Sequence, residues 1–148
     1  MTLLYVIDTV SFIDYFDNIF GRYGNLSYKA RNIIDNAFNA YSGLIKLSIP
    51  SVVLVEIYEK WFSDEEFAAK FYYEVYSLIK TSPNIEIKPI EREVLENLIT
   101  IGGNLTNHEI HDKLILSSAM MMKCPLITRD PEIIKYFKNT NVIPAIIN

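Results

Sequence analysis

The sequence has a single cysteine, five glycines and six prolines in 148 residues, and its formal charge is −4. Each shortage removes a class of protein. Cys124, alone between Lys123 and Pro125, excludes an internal disulfide and a cysteine-rich metal site; its apolar surroundings predict a buried, inert thiol. Scarce glycine and proline, with half of the residues apolar, exclude a disordered or low-complexity chain. Apolar stretches between charges stay near about ten residues, where a membrane-spanning helix needs about twenty. The expectation is a soluble, cytoplasmic protein without a membrane partner, folded as one domain over 1–148. The negative charge argues against nucleic acid, since phosphate is normally met by a surplus of Lys and Arg. Carboxylates clustered on cations weaken that objection: with four set aside the remainder is neutral, and bound cations make the surface locally positive.

What is present is an alternation of short apolar strands and helical patterns, the signature of a parallel sheet with crossover helices. Strands are predicted at 3–7, 47–49, 85–87, 126–128 and 142–143. A helical stretch runs through Phe12, Tyr15 and Phe16, and another spans 28–41. Ser51 is the expected N-cap of a helix reaching Trp61. Ser63 with Glu66 forms a capping-box pattern opening a helix whose apolar face is Phe67, Phe71, Val75, Leu78 and Ile79. Further helices pass through Val94, Leu95 and Leu98 to a stop at Gly102 and Gly103, cover 110–122, and start at Pro131 behind Asp130 as cap.

Four carboxylates stand out by position. Asp8 ends strand one, Glu56 lies in the first turns of the helix after strand two, Asp112 opens the helix before strand four, and Asp130 follows strand four. Crossover helices run antiparallel to the strands, so helix starts and strand carboxyl ends share one edge, where open α/β sheets bind ligands. Four acids converging there repel one another unless cations lie between them or protons are shared. Hard oxygen donors suit Mg²⁺ or Mn²⁺. Helix capping alone would also explain Asp130, and Asp112 and Glu56 have ordinary helical readings.

V-I-D-T-V-S-F-I-D-Y-F, S-I-P-S-V-V-L-V-E-I-Y, H-D-K-L-I-L-S-S-A and P-L-I-T-R-D-P-E-I, in that order, resemble the PIN-domain ribonucleases, most closely the VapC-type toxins of toxin-antitoxin pairs. The resemblance spans essentially the whole chain. It implies a three-layer α/β fold with a central parallel sheet of about five short strands. By the same resemblance Asp8, Glu56, Asp112 and Asp130 are the metal-binding and catalytic quartet, with Thr9 and Thr128 steadying them. It further implies hydrolysis of RNA phosphodiesters with Mg²⁺ or Mn²⁺, a homodimer, and a small antitoxin laid into a groove. A housekeeping PIN nuclease and a non-catalytic binding module are the alternatives. One departure is Val10, where many relatives carry a polar residue. Glu59 and Glu109 are substitutes for Glu56.

Arg129 and Lys113, each beside a quartet acid, are candidate phosphate contacts. His108 and His111 could share a helix face and bind zinc, although no further histidine exists. Ser117 and Ser118 have no base at recognisable spacing, and Met120 to Met122 read as packing. Aromatics at Trp61, Phe62, Phe67, Phe71, Tyr72, Tyr73 and Tyr76 exceed what one helix face buries, which marks an interface. A receiver-like fold is disfavoured: no adjacent acid pair follows strand one, and no lysine ends the last strand.

Overall fold

The computed structural model describes residues 2–39, 43–105 and 108–148. Among them the sheet has five strands, all parallel: β1 (Leu3–Ile7), β2 (Ile45–Pro50), β3 (Ile85–Lys88), β4 (Leu126–Ile127) and β5 (Ile146–Ile147). Their order is β3-β2-β1-β4-β5. The chain therefore works outward from β1 to β3, then returns to lay β4 on the other side of β1. That reversal opens a crevice between the carboxyl ends of β1 and β4. A receiver or flavodoxin-like domain would have the order 2-1-3-4-5.

Helices cover the sheet. α1 (Thr9–Tyr15), α2 (Asp17–Phe20) and α3 (Tyr28–Phe38) join β1 to β2. α4 (Ser51–Trp61), α5 (Glu65–Phe71), a π-helical turn (Tyr72–Tyr76) and α6 (Ser77–Thr81) join β2 to β3. α7 (Arg92–Ile101) and α8 (Ile110–Met122) lead to β4, and α9 (Pro131–Thr140) to β5. The carboxyl end of β1 and all of β4, sandwiched in this way, are buried on both faces. Val6, Ile7, Leu126 and Ile127 are fully inaccessible, each contributing about 1.5–3 kcal/mol of apolar burial. Ile115 and Leu116 of α8 and Val53 of α4 close the same core.

Several boundaries differ from the sequence reading. The fifth strand lies at Ile146–Ile147, not 142–143, because α9 runs to Thr140 and turns through Asn141 at φ 51; only beyond Pro144 does the chain pair with β4. Ser51 is the first residue of α4 and caps nothing, since Pro50 is still paired with Lys88 in the sheet and the strand passes directly into the helix. Asp64, not Ser63, caps α5, accepting from the amides of Glu66 at 3.0 Å and Phe67 at 3.3 Å. The helix expected over 28–41 ends at Phe38 with Asn39 as cap, and positions 40–41 lie outside the described residues. The single helix expected after residue 63 is divided by the π-helical turn. Its predicted face is buried at Phe71, Val75 and Ile79, while Leu78 is 40% exposed.

The loop after α2 is pressed against α1. A methyl group on Gly24 would lie 2.3 Å from the Asp14 carbonyl oxygen, a backbone atom that cannot move aside. Arg22 and Arg31 hold the same turn, reaching Asp14 Oδ1 at 3.3 Å and its carbonyl at 3.5 Å. Gly24→Ala is expected to destabilise the fold by about 1–3 kcal/mol through overpacking. Gly103→Ala, which meets nothing within 4 Å, should stay within about 0.5 kcal/mol of the parent. Urea denaturation of both variants checks the contrast.

Candidate active site

Each carboxylate of the predicted quartet is set by its local structure. Asp8 leaves β1, donates its amide to the Ile127 carbonyl at 3.1 Å and caps α1 by accepting from the Ser11 amide at 2.8 Å. Asp130 caps α9 with Oδ1, accepting from the amides of Glu132 at 2.9 Å and Ile133 at 3.3 Å; its own amide donates to Thr128 Oγ1 at 3.1 Å. Its Oδ2 meets His108 Nε2 at 2.7 Å. Glu56, buried on α4, accepts from the Thr9 hydroxyl on Oε1 at 2.7 Å and from the Lys60 ammonium on Oε2 at 2.8 Å. Asp112, in the first turn of α8, has no hydrogen bond or lysine or arginine partner at its carboxylate among the described residues.

All four line one open cavity of about 490 Å³ at the crevice between β1 and β4, with Val10, Lys60, His108, Glu109, Arg129 and Pro131. Burial and crowding both act on these carboxylates. Asp112 is pushed up to about 6, first by burial, then by Glu56, Asp130 and Asp8, with His108 opposing. Burial also raises Asp8, offset in part by the nearby Thr128 hydroxyl and the Ser11 amide. Ligand atoms of His108, Asp112 and Asp130 lie within 4.8 Å of one another, as do those of Glu56, Glu109 and His111. Carboxylate oxygens so gathered, without thiolate, fit a hard divalent cation.

The remaining sequence candidates separate. Thr9 supports Glu56, while Thr128 accepts from the Asp130 amide and its hydroxyl counters the rise at Asp8. Arg129 is exposed at the cavity wall, whereas Lys113, half-buried on α8, is not among its lining residues. Glu109 lines the cavity beside Glu56; Glu59 does not. The two histidines do not form one zinc site: His108 turns to Asp130, and His111 lies 3.3 Å from Glu109 and 3.8 Å from Glu59. Residue 108 precedes α8 while residue 111 is inside it, so the shared helix face is lost. Ser117 and Ser118 are buried and donate to the carbonyls of Lys113 and Leu114, which removes them as nucleophiles. Cys124 is buried, as expected. Sequence reasoning missed Lys60 and the role of His108. Lys60, four residues after Glu56 on one helix, carried a readable signal. His108 carried none, because its partner is 22 residues away.

A glycine-rich loop normally follows β1 where a doubly wound sheet binds a dinucleotide. Here D-T-V-S stands in that place, and the Asp8 carboxylate already occupies the helix start. No family model matches the sequence, and no curated protein matches it. Solved structures do. VapBC2 from Rickettsia felis bound to a promoter DNA fragment matches with a TM-score of 0.62 at 18% identity, over 97% of both chains. FitAcB from Neisseria gonorrhoeae matches at 0.58 and 14%, over 97% of this chain and 96% of that one. VapBC-5 from Mycobacterium tuberculosis, a member of a toxin-antitoxin family, matches at 0.56 and 14%, over 98% of both. The fold is that of a VapC-type PIN domain. At these identities the likeness is one of fold, and the shared fold sets Asp8 and Asp130 at the ends of the neighbouring strands β1 and β4.

Asp112 has a folded-state value above its ordinary one of 3.8, so its contribution to stability is fully present below about 3.8 and is lost as pH rises through about 6. Metal-free protein should therefore lose thermal stability relative to Asp112→Asn between pH 4 and 7. Differential scanning calorimetry of both proteins across that range reads it: the Tm gap should open in favour of the variant as pH rises, and a gap independent of pH would remove the account of Asp112 as an acid raised by burial and crowding.

Proposed function

We propose that the protein is a metal-dependent endoribonuclease, the toxin of a toxin-antitoxin pair. One observation carries the reading: at the crevice between β1 and β4, Asp8, Asp112 and Asp130 face a common cavity in which no lysine or arginine forms an ion pair with them among the described residues. Such a cluster stores repulsion that a divalent cation relieves. Asp8, Asp112 and Asp130 would hold Mg²⁺ or Mn²⁺, with Glu56 lining the same cavity. Divalent ions at carboxylate sites of this kind acidify water and offset negative charge on a phosphodiester.

The chain's own residues do the positioning. Thr9 fixes the rotamer of Glu56, and the Thr128 hydroxyl accepts from the Asp130 amide, so the acids sit on helices and strand ends rather than on a loose loop. Arg129 at the wall offers a bidentate partner to a backbone phosphate. Without a cation the acidic cavity repels RNA, so substrate binding and cleavage share one dependence. The antitoxin and homodimer readings draw on neighbours named as toxin-antitoxin complexes and on exposed aromatics: Tyr58 is 67% and Tyr73 74% exposed, and a groove of about 250 Å³ runs between Leu54, Tyr58, Phe62 and Tyr76.

Purified protein incubated with a mixed RNA pool should produce discrete cut ends with Mg²⁺ or Mn²⁺ and none with EDTA. Asp8→Asn, which removes charge at nearly constant shape and keeps an acceptor for the Ser11 amide, should lower the cleavage rate by about a hundredfold or more while leaving Tm near that of the parent. Wild-type cleavage by that variant, read by end mapping, would remove the site.

A further inference from the structure

The cavity contains two groups of ligand atoms, and they differ in one respect. Beside Asp112 and Asp130, no lysine or arginine makes an ion pair among the described residues; the contact there is the imidazole of His108. In the group formed by Glu56, Glu109 and His111, a cation is already present. The Lys60 ammonium lies 2.8 Å from Glu56 Oε2 and 3.3 Å from Glu109 Oε2, bridging two of the three ligand atoms.

We infer that Lys60 is the resident cation of the Glu56 half of the cavity, so that the site holds one divalent ion beside Asp112 and Asp130 rather than two. This rests on the metal-dependent reading above. Lys60 is built into the scaffold for that position. It follows Glu56 by one turn of α4, the favoured order for a helical pair, and lies in the last turn, where the helix dipole favours positive charge. Glu56 is held from both sides, by the Thr9 hydroxyl on one oxygen and the ammonium on the other, with its side chain 10% exposed. A divalent ion at a normal metal-oxygen distance of about 2.0–2.6 Å from Glu56 Oε2 would sit in the first contact shell of the ammonium, like charge against like charge. One of the two cations must leave. Lys60 is tethered to the helix and grips a second carboxylate, Glu109, so the ion is the one excluded.

The ammonium thus supplies, as a fixed single charge, the electrostatic compensation that a second metal supplies in two-ion nucleases. Because the Lys60 side chain is 45% exposed, replacing it leaves the core intact.

Counting Mn²⁺ ions by isothermal titration and native mass spectrometry tests the idea without reference to cleavage. The wild type and Lys60→Arg should bind one ion, and Lys60→Met should bind two. In electron paramagnetic resonance the loaded Lys60→Met protein should show a spin-coupled manganese pair absent from the parent. Two ions in the wild type, or one in Lys60→Met, would overturn this inference and leave the nuclease reading standing. No ion in any of the three proteins would overturn both.

Discussion

The structure turns on the mutual repulsion of carboxylates gathered at one edge of a parallel sheet. Left in water, Asp8, Glu56, Asp112 and Asp130 would separate; here the topology prevents it. Asp8 and Asp130 follow strands that are hydrogen-bonded neighbours, in register from Val6 opposite Leu126. Glu56, midway along α4, and Asp112, in the first turn of α8, lie on helices that pack on the same sheet. The apolar burial of Val6, Ile7, Leu126 and Ile127 holds Asp8 and Asp130 together, because moving either away would mean disturbing the fully buried carboxyl end of a strand.

The cost of this crowding is not shared evenly. Glu56 has an ammonium and a hydroxyl, Asp130 has an imidazole and two helix amides, and Asp8 has the Ser11 amide. Asp112 has no hydrogen-bond partner among the described residues, and burial first, then Glu56, Asp130 and Asp8 against His108, push it up to about 6. The tension is therefore concentrated at the open side of the cavity, where a dissolved cation can reach it, and relieved at the Glu56 side, where the chain brings its own.

Much of this was legible in the sequence because three of the acids stand at punctuation points. An apolar strand ending in Asp8, and an Asp-Pro step at 130–131 behind a second strand, mark edge positions whatever the tertiary details. Asp112 follows from the start of a long apolar helix. The local signals failed where two of them competed. Ser63 and Glu66 matched a capping box, but Asp64 offers the stronger acceptor one residue later; Val142 and Ile143 are β-branched, yet Pro144 delays pairing until Ile146. His108 was invisible for a different reason: its contact with Asp130 closes only when α8 and β4 are both in place, and no periodicity encodes it.

Helix capping and metal binding look like rival explanations of Asp8 and Asp130, and the structure dissolves the rivalry. A carboxylate has two oxygens. Asp130 spends Oδ1 on the amides that begin α9 and keeps Oδ2 turned toward His108; Asp8 uses Oδ1 for the Ser11 amide. A cap contributes about 1 kcal/mol to the fold and also locks the side chain's rotamer, so the second oxygen is delivered to a fixed point in the cavity. The structural role is thus compatible with the proposed one: the cap keeps Asp8 and Asp130 beside their neighbours at this edge rather than turned into solvent.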